Sequence, residues 1–499
     1  MKYLLLLSIS IACLTIHGQT TFELRFGTDL SETPFDIIEN DDSYIIVGAR
    51  QDNLNFSINP TIYQISKDGQ LLDWFEYSKY DTISQFTNLV RMNGKIMIIG
   101  NVGRNESNAS KFSAFNLSIL NDSFQIINER IIPLPQNYTG ISNYYIKQKN
   151  ANLIIAGDAR HIDYSNYSHD IFICEINTLT DSVKYDFTLK EGIQYVSGMS
   201  LLPDSYEKYI FSVGDWGFPV GYGPGYYVKF DENNQFILAD TLPNGLQWEN
   251  YSMNVSNNHF LLSGRQIAHP NGFPNSTEHR CTLYKLNHEF HVESSYEYSM
   301  GVDTLSLLAS VNTFDTTATG EIYISGCSNV NPQYFPFQND PSWIFLSKLD
   351  RNLNHIWTRF YGGDMFYQVL TVKATIDGGA IMTCRTYDSK TQYYEHDILI
   401  LKVNEDGLIV GTKDESSGLT IQDAIVYPNP GSTMLNICSG LQISGASFEL
   451  FSLNGNLLHS TTLDERIETL NTSKLAHGTY PYLIIFKNKI VGSGKWNKE

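Results

Sequence analysis

The sequence predicts an all-β fold, a seven-bladed β-propeller followed by a small C-terminal β-sandwich. Three observations predict it. A strand ending near glycine recurs along the chain, a second alternating strand recurs between its copies, and the final segment breaks into short strands of a different pattern.

The first recurring strand reads Tyr44-Ile45-Ile46-Val47-Gly48, then Ile96-Met97-Ile98-Ile99-Gly100, then Leu153-Ile154-Ile155-Ala156-Gly157. It continues through Tyr209 to Gly214, Phe260 to Gly264 and Ile322 to Gly326, and ends with Ala380 to Cys384, where cysteine replaces glycine. The spacing, roughly 50–60 residues, is that of propeller blades or a little above. The second strand alternates apolar and polar residues and then turns, as in Ile62 to Gly69, Thr282 to Asn287, Ile344 to Asp350 and Ile398 to Asn404. Period-2 alternation marks a half-buried strand, and the Asp, Asn and Gly residues that follow supply the turn. A third strand carries an aromatic residue, as in Leu72-Asp73-Trp74 and His355-Ile356-Trp357. These repeats resemble the degenerate propeller repeats of exported bacterial proteins, with Lys402 to Ile409 and Lys348 to Trp357 the best copies. The second has Leu353 where the pattern has glycine.

The repeat is out of phase with the chain ends. Thr21 to Gly27 resembles the mid-repeat segment Thr358 to Gly362, whereas Asp397 to Val403 lacks a Gly-ended strand after it. The two ends therefore read as halves of one blade, joined to close the ring and remove its open edges. The aromatic fraction of 13% fits sheets.

The formal charge of -19 disfavours nucleic acid and anionic membrane surfaces as partners. Met1-Lys2-Tyr3 followed by the apolar run from Leu4 to Ile16 reads as a secretory signal peptide over residues 1–18, with cleavage between Gly18 and Gln19. Lipidation at Cys13 is the alternative, to which Ser10 is ill suited. No other stretch is long and apolar enough to span a bilayer. Removal of Cys13 leaves five cysteines, Cys174, Cys281, Cys327, Cys384 and Cys438, with no paired spacing for zinc and no even set for disulfides. The propeller is expected over 19–410, with a polar linker at 411–423 and the last domain at 424–499.

The last domain opens on Tyr427-Pro428-Asn429-Pro430, where two prolines force a turn after a short strand. Short strands follow, with Asn454-Gly455 as a hairpin turn and Gly478-Thr479-Tyr480 leading into an apolar strand that contains Pro481. The end is basic, at Lys495 and Lys498. This tail resembles the type A C-terminal sorting domain of the type IX secretion system of the Bacteroidota. The resemblance rests on Tyr427 to Pro430, on Leu453-Asn454-Gly455, and on Leu475, Gly478 and Tyr480 near the end. It implies type IX secretion machinery as a partner and delivery through the periplasm to the outer-membrane surface or the medium.

No nucleophile elbow, zinc-protease helix, phosphate loop or cysteine pair is present, so no cofactor or metal is expected. His161-Ile162-Asp163 and His396-Asp397 place imidazole beside carboxylate, and Asp231 to Asn234 could bind calcium; solvated polar loops account for all three more simply. Trp216 to Tyr227 and Asn331 to Phe337 interleave aromatics with glycine and proline in loops, which suits a glycan or protein ligand. The expected function is a non-catalytic binding module at the cell surface or beyond. The alternative is an exported glycan- or peptide-acting hydrolase or lyase with a site in the propeller funnel. Convergence of carboxylates, histidines or arginines at one mouth of the channel would favour the alternative.

Overall fold

The computed structural model describes residues 20–52, 57–77, 83–106, 109–121, 123–162, 169–188, 195–201, 207–213, 225–242, 247–256, 259–268, 278–301, 305–330, 337–390, 395–409 and 421–499. The signal segment with Gly18 and Gln19, Asp163, most of the Trp216 to Tyr227 loop and Asn331 to Pro336 lie outside the described residues.

Strands dominate the described residues, and the chain folds as a β-propeller. Sheet one joins Ser31–Glu39, Ser43–Asp52, Ser57–Ser66 and Leu71–Glu76. Sheet two runs from Ile83 to Pro133, sheet three from Tyr138 to Thr188, sheet four from Tyr195 to Thr241 and sheet five from Gln247 to Tyr298, each an antiparallel set of four strands in chain order. Sheet six contains Leu305–Leu308, Phe314–Thr316, Ile322–Val330, Trp343–Leu349 and His355–Gly362. The closing sheet combines Phe366–Ala374, Ala380–Tyr387 and Asp397–Val403 with Phe22–Phe26 from the opposite end of the chain, in the register Phe22↔Lys402 to Phe26↔Ile398. Sheet one packs on this closing sheet, so the two ends of the chain join the first and last sheets of the ring.

Local chemistry explains the repeat. The glycine that ends the first recurring strand faces a bulge in the innermost strand. A Cβ on Gly48 would lie 2.2 Å from the Thr33 carbonyl oxygen, and one on Gly326 only 2.0 Å from that of Leu307. In the closing sheet Cys384 takes the position, beside a bulge between Val369 and Thr371. The turn after the second recurring strand is built by a side-chain acceptor. Asn121, Asp231, Asn287, Asp350 and Asn404 each accept backbone N–H groups two and four residues ahead. Asp231 is thus a turn former. The residue three after each acceptor has positive φ, and Gly407 suits it at no steric cost. Leu353 (φ 67°) and Phe290 (φ 62°) do not, yet both are buried, 3% and 6% exposed. Left-handed strain of about 1–2 kcal/mol is offset by a comparable burial gain.

The core is a series of clusters between neighbouring sheets, such as Met97, Ile99, Phe115 and Leu117 with Ile155, Phe172 and Cys174. All five described cysteines are buried thiols.

In the tail, Ala424–Tyr427, Met434–Ser439 and Ile467–Asn471 form one sheet. Leu457–Leu463, Ala446–Phe451, Gly478–Phe486 and Lys489–Lys498 form a second. Val426, Leu435 and Ile437 from the first share a core with Phe448, Ile484 and Trp496 from the second. Pro481 does not displace its strand. It pairs with Lys495, outside the Tyr482–Ile485 stretch that pairs with both neighbours. A missing N–H costs least where one side of the strand is unpaired.

Candidate functional site: sorting module and channel

Tyr427 ends the first strand of the tail, with its ring buried and its hydroxyl donating to the Met300 carbonyl of the propeller. Burial pushes the phenol far above its usual range. Pro428, Asn429 and Pro430 turn outward and are exposed, with cis bonds at Tyr427-Pro428 and Asn429-Pro430. This loop is fastened to the terminal strand. Trp496 Nε1 donates to the Pro428 carbonyl at 2.7 Å, Asn429 Nδ2 donates to the Lys495 carbonyl at 2.8 Å, and the Asn497 amide donates to Asn429 Oδ1 at 2.9 Å.

Tyr480 pairs with Trp496, its ring centroid 6.0 Å away, and donates its hydroxyl to the Ala476 carbonyl. Gly478 opens the same strand opposite Lys498. Pro428, Asn429 and Tyr480 therefore meet around Trp496 and its strand neighbours Lys495 and Asn497, whereas the Tyr427 ring turns to the propeller. Gly455 belongs to a different hairpin, at φ +79° in the turn between Ala446–Phe451 and Leu457–Leu463. Sequence reasoning missed Trp496. Its signal was the one aromatic residue in a strand whose other residues are small, polar, basic or aliphatic.

Charged groups from four sheets approach the channel. Lys147, Asp315 and Lys373 occupy one register position in their sheets, each opposite the residue three before the recurring Gly or Cys: Ile154, Tyr323 and Ile381. Asp36 lies 3.9 Å from Lys373 Nζ. Burial raises the Asp36 and Asp315 carboxyls. Both are engaged by backbone: Asp36 accepts the amides of Ile37 and Leu89, and Asp315 those of Thr316 and Ala374. The Leu89 and Ala374 amides belong to the next sheet, so these carboxylates tie neighbouring sheets together. Lys147 is lowered to about 8 by burial and then by Lys373, with Asp315 opposing.

A second polar group lies at the loop end of sheet three. His169 Nδ1 is 2.8 Å from Asp158 Oδ2, and Asp158 Oδ1 accepts the Val196 amide of sheet four. Tyr138 donates to Asp170 Oδ2 at 2.9 Å and packs edge-on against His161. Burial raises Asp170. His161 is thus brought to a carboxylate, Asp170, that sequence spacing did not indicate. His396, in contrast, is buried in the ring closure, 3.0 Å from Ser31 Oγ and packed on Phe337. Tyr227 stacks on Phe290 of sheet five at 3.9 Å, so this ring serves the core.

Residues 425–495 match the family described as secretion system C-terminal sorting domain. No curated protein matches the chain. Solved structures similar to it include the β-propeller domain of the trilobed protease from Pyrococcus furiosus, at 10% identity and TM-score 0.40, covering 78% of this chain and 100% of that one. The WD40 domain of SCAP from fission yeast aligns at 8% identity and TM-score 0.38, covering 77% and 98%. PorZ, a surface component of the type IX secretion system of Porphyromonas gingivalis, aligns at 9% identity and TM-score 0.20, covering 94% and 86%. The sorting domain gives the destination. The chain is exported by type IX secretion to the cell surface or beyond and engages that machinery. Among the described residues no helix is long and apolar enough to cross a membrane.

Proposed function

We propose that the propeller is a non-catalytic binding module for a glycan or protein ligand, carried outside by the sorting domain, whose exposed motif residues Pro428 to Pro430, Gly455 and Gly478 are addressed to the secretion machinery while the buried Tyr427 and Tyr480 hold them in place. The observation that carries this reading is the state of the channel carboxylates. Asp36 and Asp315 each accept two backbone amides, one of them from the next sheet, and so hold the ring together. A general acid–base pair needs carboxyl groups that reach substrate. Carboxylates engaged in this way serve the scaffold, and a scaffold of loops on rigid sheets serves binding.

A screen of glycans and peptides on the intact secreted chain tests it. Saturable binding with no bond cleavage is the expected result. Turnover of any bound glycan or peptide overturns it.

A second reading, an exported hydrolase, is favoured by Asp158 and His169. A buried carboxylate that fixes an imidazole through Nδ1 is the orienting half of an acid–base device, and the raised Asp170 stands beside it. Under this reading turnover is found and His169→Ala abolishes it while Tm is retained.

A further inference from the structure

The sorting module is seated on the outer strands of sheets five and six, and its seat is built like a protein core. Ile425, Tyr427 and Cys438 of the module share one buried cluster with Tyr298, Met300, Phe345 and Phe360 of the propeller. Around this cluster three polar side chains of the module are matched with propeller groups. Arg466 donates to the Glu297 carbonyl and lies over the Tyr298 ring, 4.3 Å from its centroid. Gln442 makes a two-way bond with the Thr358 backbone, donating to its carbonyl at 2.7 Å and accepting its amide at 3.1 Å. Asp423 pairs with Arg359. The short strand Ile421–Gln422 adds to the edge of sheet six through Tyr361 and Phe360.

Each module group in this seat, from Ile421 to Arg466, lies on the C-terminal side of residue 420. Apolar burial, edge-strand addition and satisfied charged donors are the elements by which separate chains bind one another stably. None of them depends on the covalent connection through residues 411–418.

We infer that the sorting module is a docked subunit of the propeller, retained without a covalent link when the chain is cut between residues 411 and 418. The module has two faces. One holds Tyr427 and Arg466 against the propeller, and the other presents Pro428 to Pro430 to solvent.

Insertion of a site-specific protease sequence at Gly411 to Gly418, cleavage of the folded chain and size-exclusion chromatography test this. Both fragments are expected in one peak at concentrations of about 1 µM, where weaker pairs dissociate. The doubly substituted chain Gln442→Ala, Arg466→Ala is expected to separate into two folded fragments, with affinity reduced at least about tenfold. Separation of the wild-type fragments, each retaining its β-sheet circular dichroism, overturns the inference. So does a folded double variant that binds as tightly as wild type. Hydrogen exchange on the uncut Gln442→Ala chain gives a reading free of folding defects. The Thr358 amide exchanges faster if the seat is real, and an unchanged rate counts against it.

Discussion

The guanidinium of Arg466, in the sorting module, lies 4.3 Å from the centroid of the Tyr298 ring in the outermost strand of sheet five. Tyr298 is fully buried and stacks in turn on Phe345 of sheet six at 4.0 Å. Burial lowers the Arg466 pKa, but Tyr296, Cys438 and Tyr298 outweigh it and raise it on balance. A cation on an aromatic face contributes about 0.5–2 kcal/mol, and its bond to the Glu297 carbonyl about another 1–2. Arg466→Ala is therefore expected to weaken the seat by about 2–3 kcal/mol. Arg466→Lys keeps charge but loses the planar fork, and recovers only part. Denaturant unfolding checks this, because the module is expected to unfold in a separate earlier transition in the alanine variant.

A second prediction concerns the ring closure. Glu32 is 2% exposed, accepts a bond from Thr28 at 2.5 Å through Oε1 and leaves Oε2 without a hydrogen-bond partner. Burial raises its pKa to about 7, Thr28 opposes, and Asp397 adds to the rise. Because the folded value exceeds the unfolded one, this carboxyl's contribution is fully present below about pH 4.5 and is lost as pH rises through 7. The window spans about 2.5 pH units, so at most about 3 kcal/mol is at stake. Glu32→Gln should flatten this slope, with a higher Tm than wild type at pH 8 and a similar one at pH 4.5. Thermal unfolding from pH 4 to 8 checks it.

The repeat was legible because its signals are local. The glycine of the first recurring strand answers a bulge across one strand pair, and the Asp or Asn of the turn binds its own backbone. Leu353 broke the pattern for a reason that sequence spacing does not carry. Its burial against the propeller core offsets the φ penalty. Tyr427 to Pro430 was legible as a motif, but Trp496, which fastens it, lies far along the chain in a strand with no aromatic pattern. Asp170 beside His161 and Arg466 over Tyr298 were illegible too. The first pair is set by the register of one hairpin and the second by packing between distant segments, whereas chain proximity suggested Asp163 and nothing at all for Arg466.

The channel gives a third prediction. Lys147 is held near 8 by burial and by the like charge of Lys373. An ordinary lysine titrates above 10. At pH 8 about half of Lys147 is therefore an unprotonated amine, against under one per cent of an ordinary surface lysine. Competitive reductive methylation followed by peptide mass analysis should show a midpoint near pH 8 at Lys147. Lys373→Met removes the like charge and should move that midpoint upward. An unmoved midpoint would assign the shift to burial alone.

The fourth prediction joins the seat to pH. His355 lies 2.8 Å from Thr358 Oγ1 through Nε2 and stacks on Tyr296, whose hydroxyl accepts a bond from Arg466. Burial first, and the Arg466 charge second, lower the imidazole to about 4. The folded pKa lies below the unfolded value of about 6.5, so the free chain takes up the proton first. Stability from this site is complete above pH 6.5 and is lost as pH falls toward 4. The full shift corresponds to about 3 kcal/mol, and partial exposure of the ring reduces it to about 1–2. When the fragments part, His355 loses the Arg466 charge and the cover of the module, so acidification from pH 7 to 5 should weaken their association, by up to about tenfold. His355→Gln, which cannot take up a proton, should bind with little dependence on pH over that range. Equal pH dependence in the variant and the wild type would place the titrating group elsewhere in the seat.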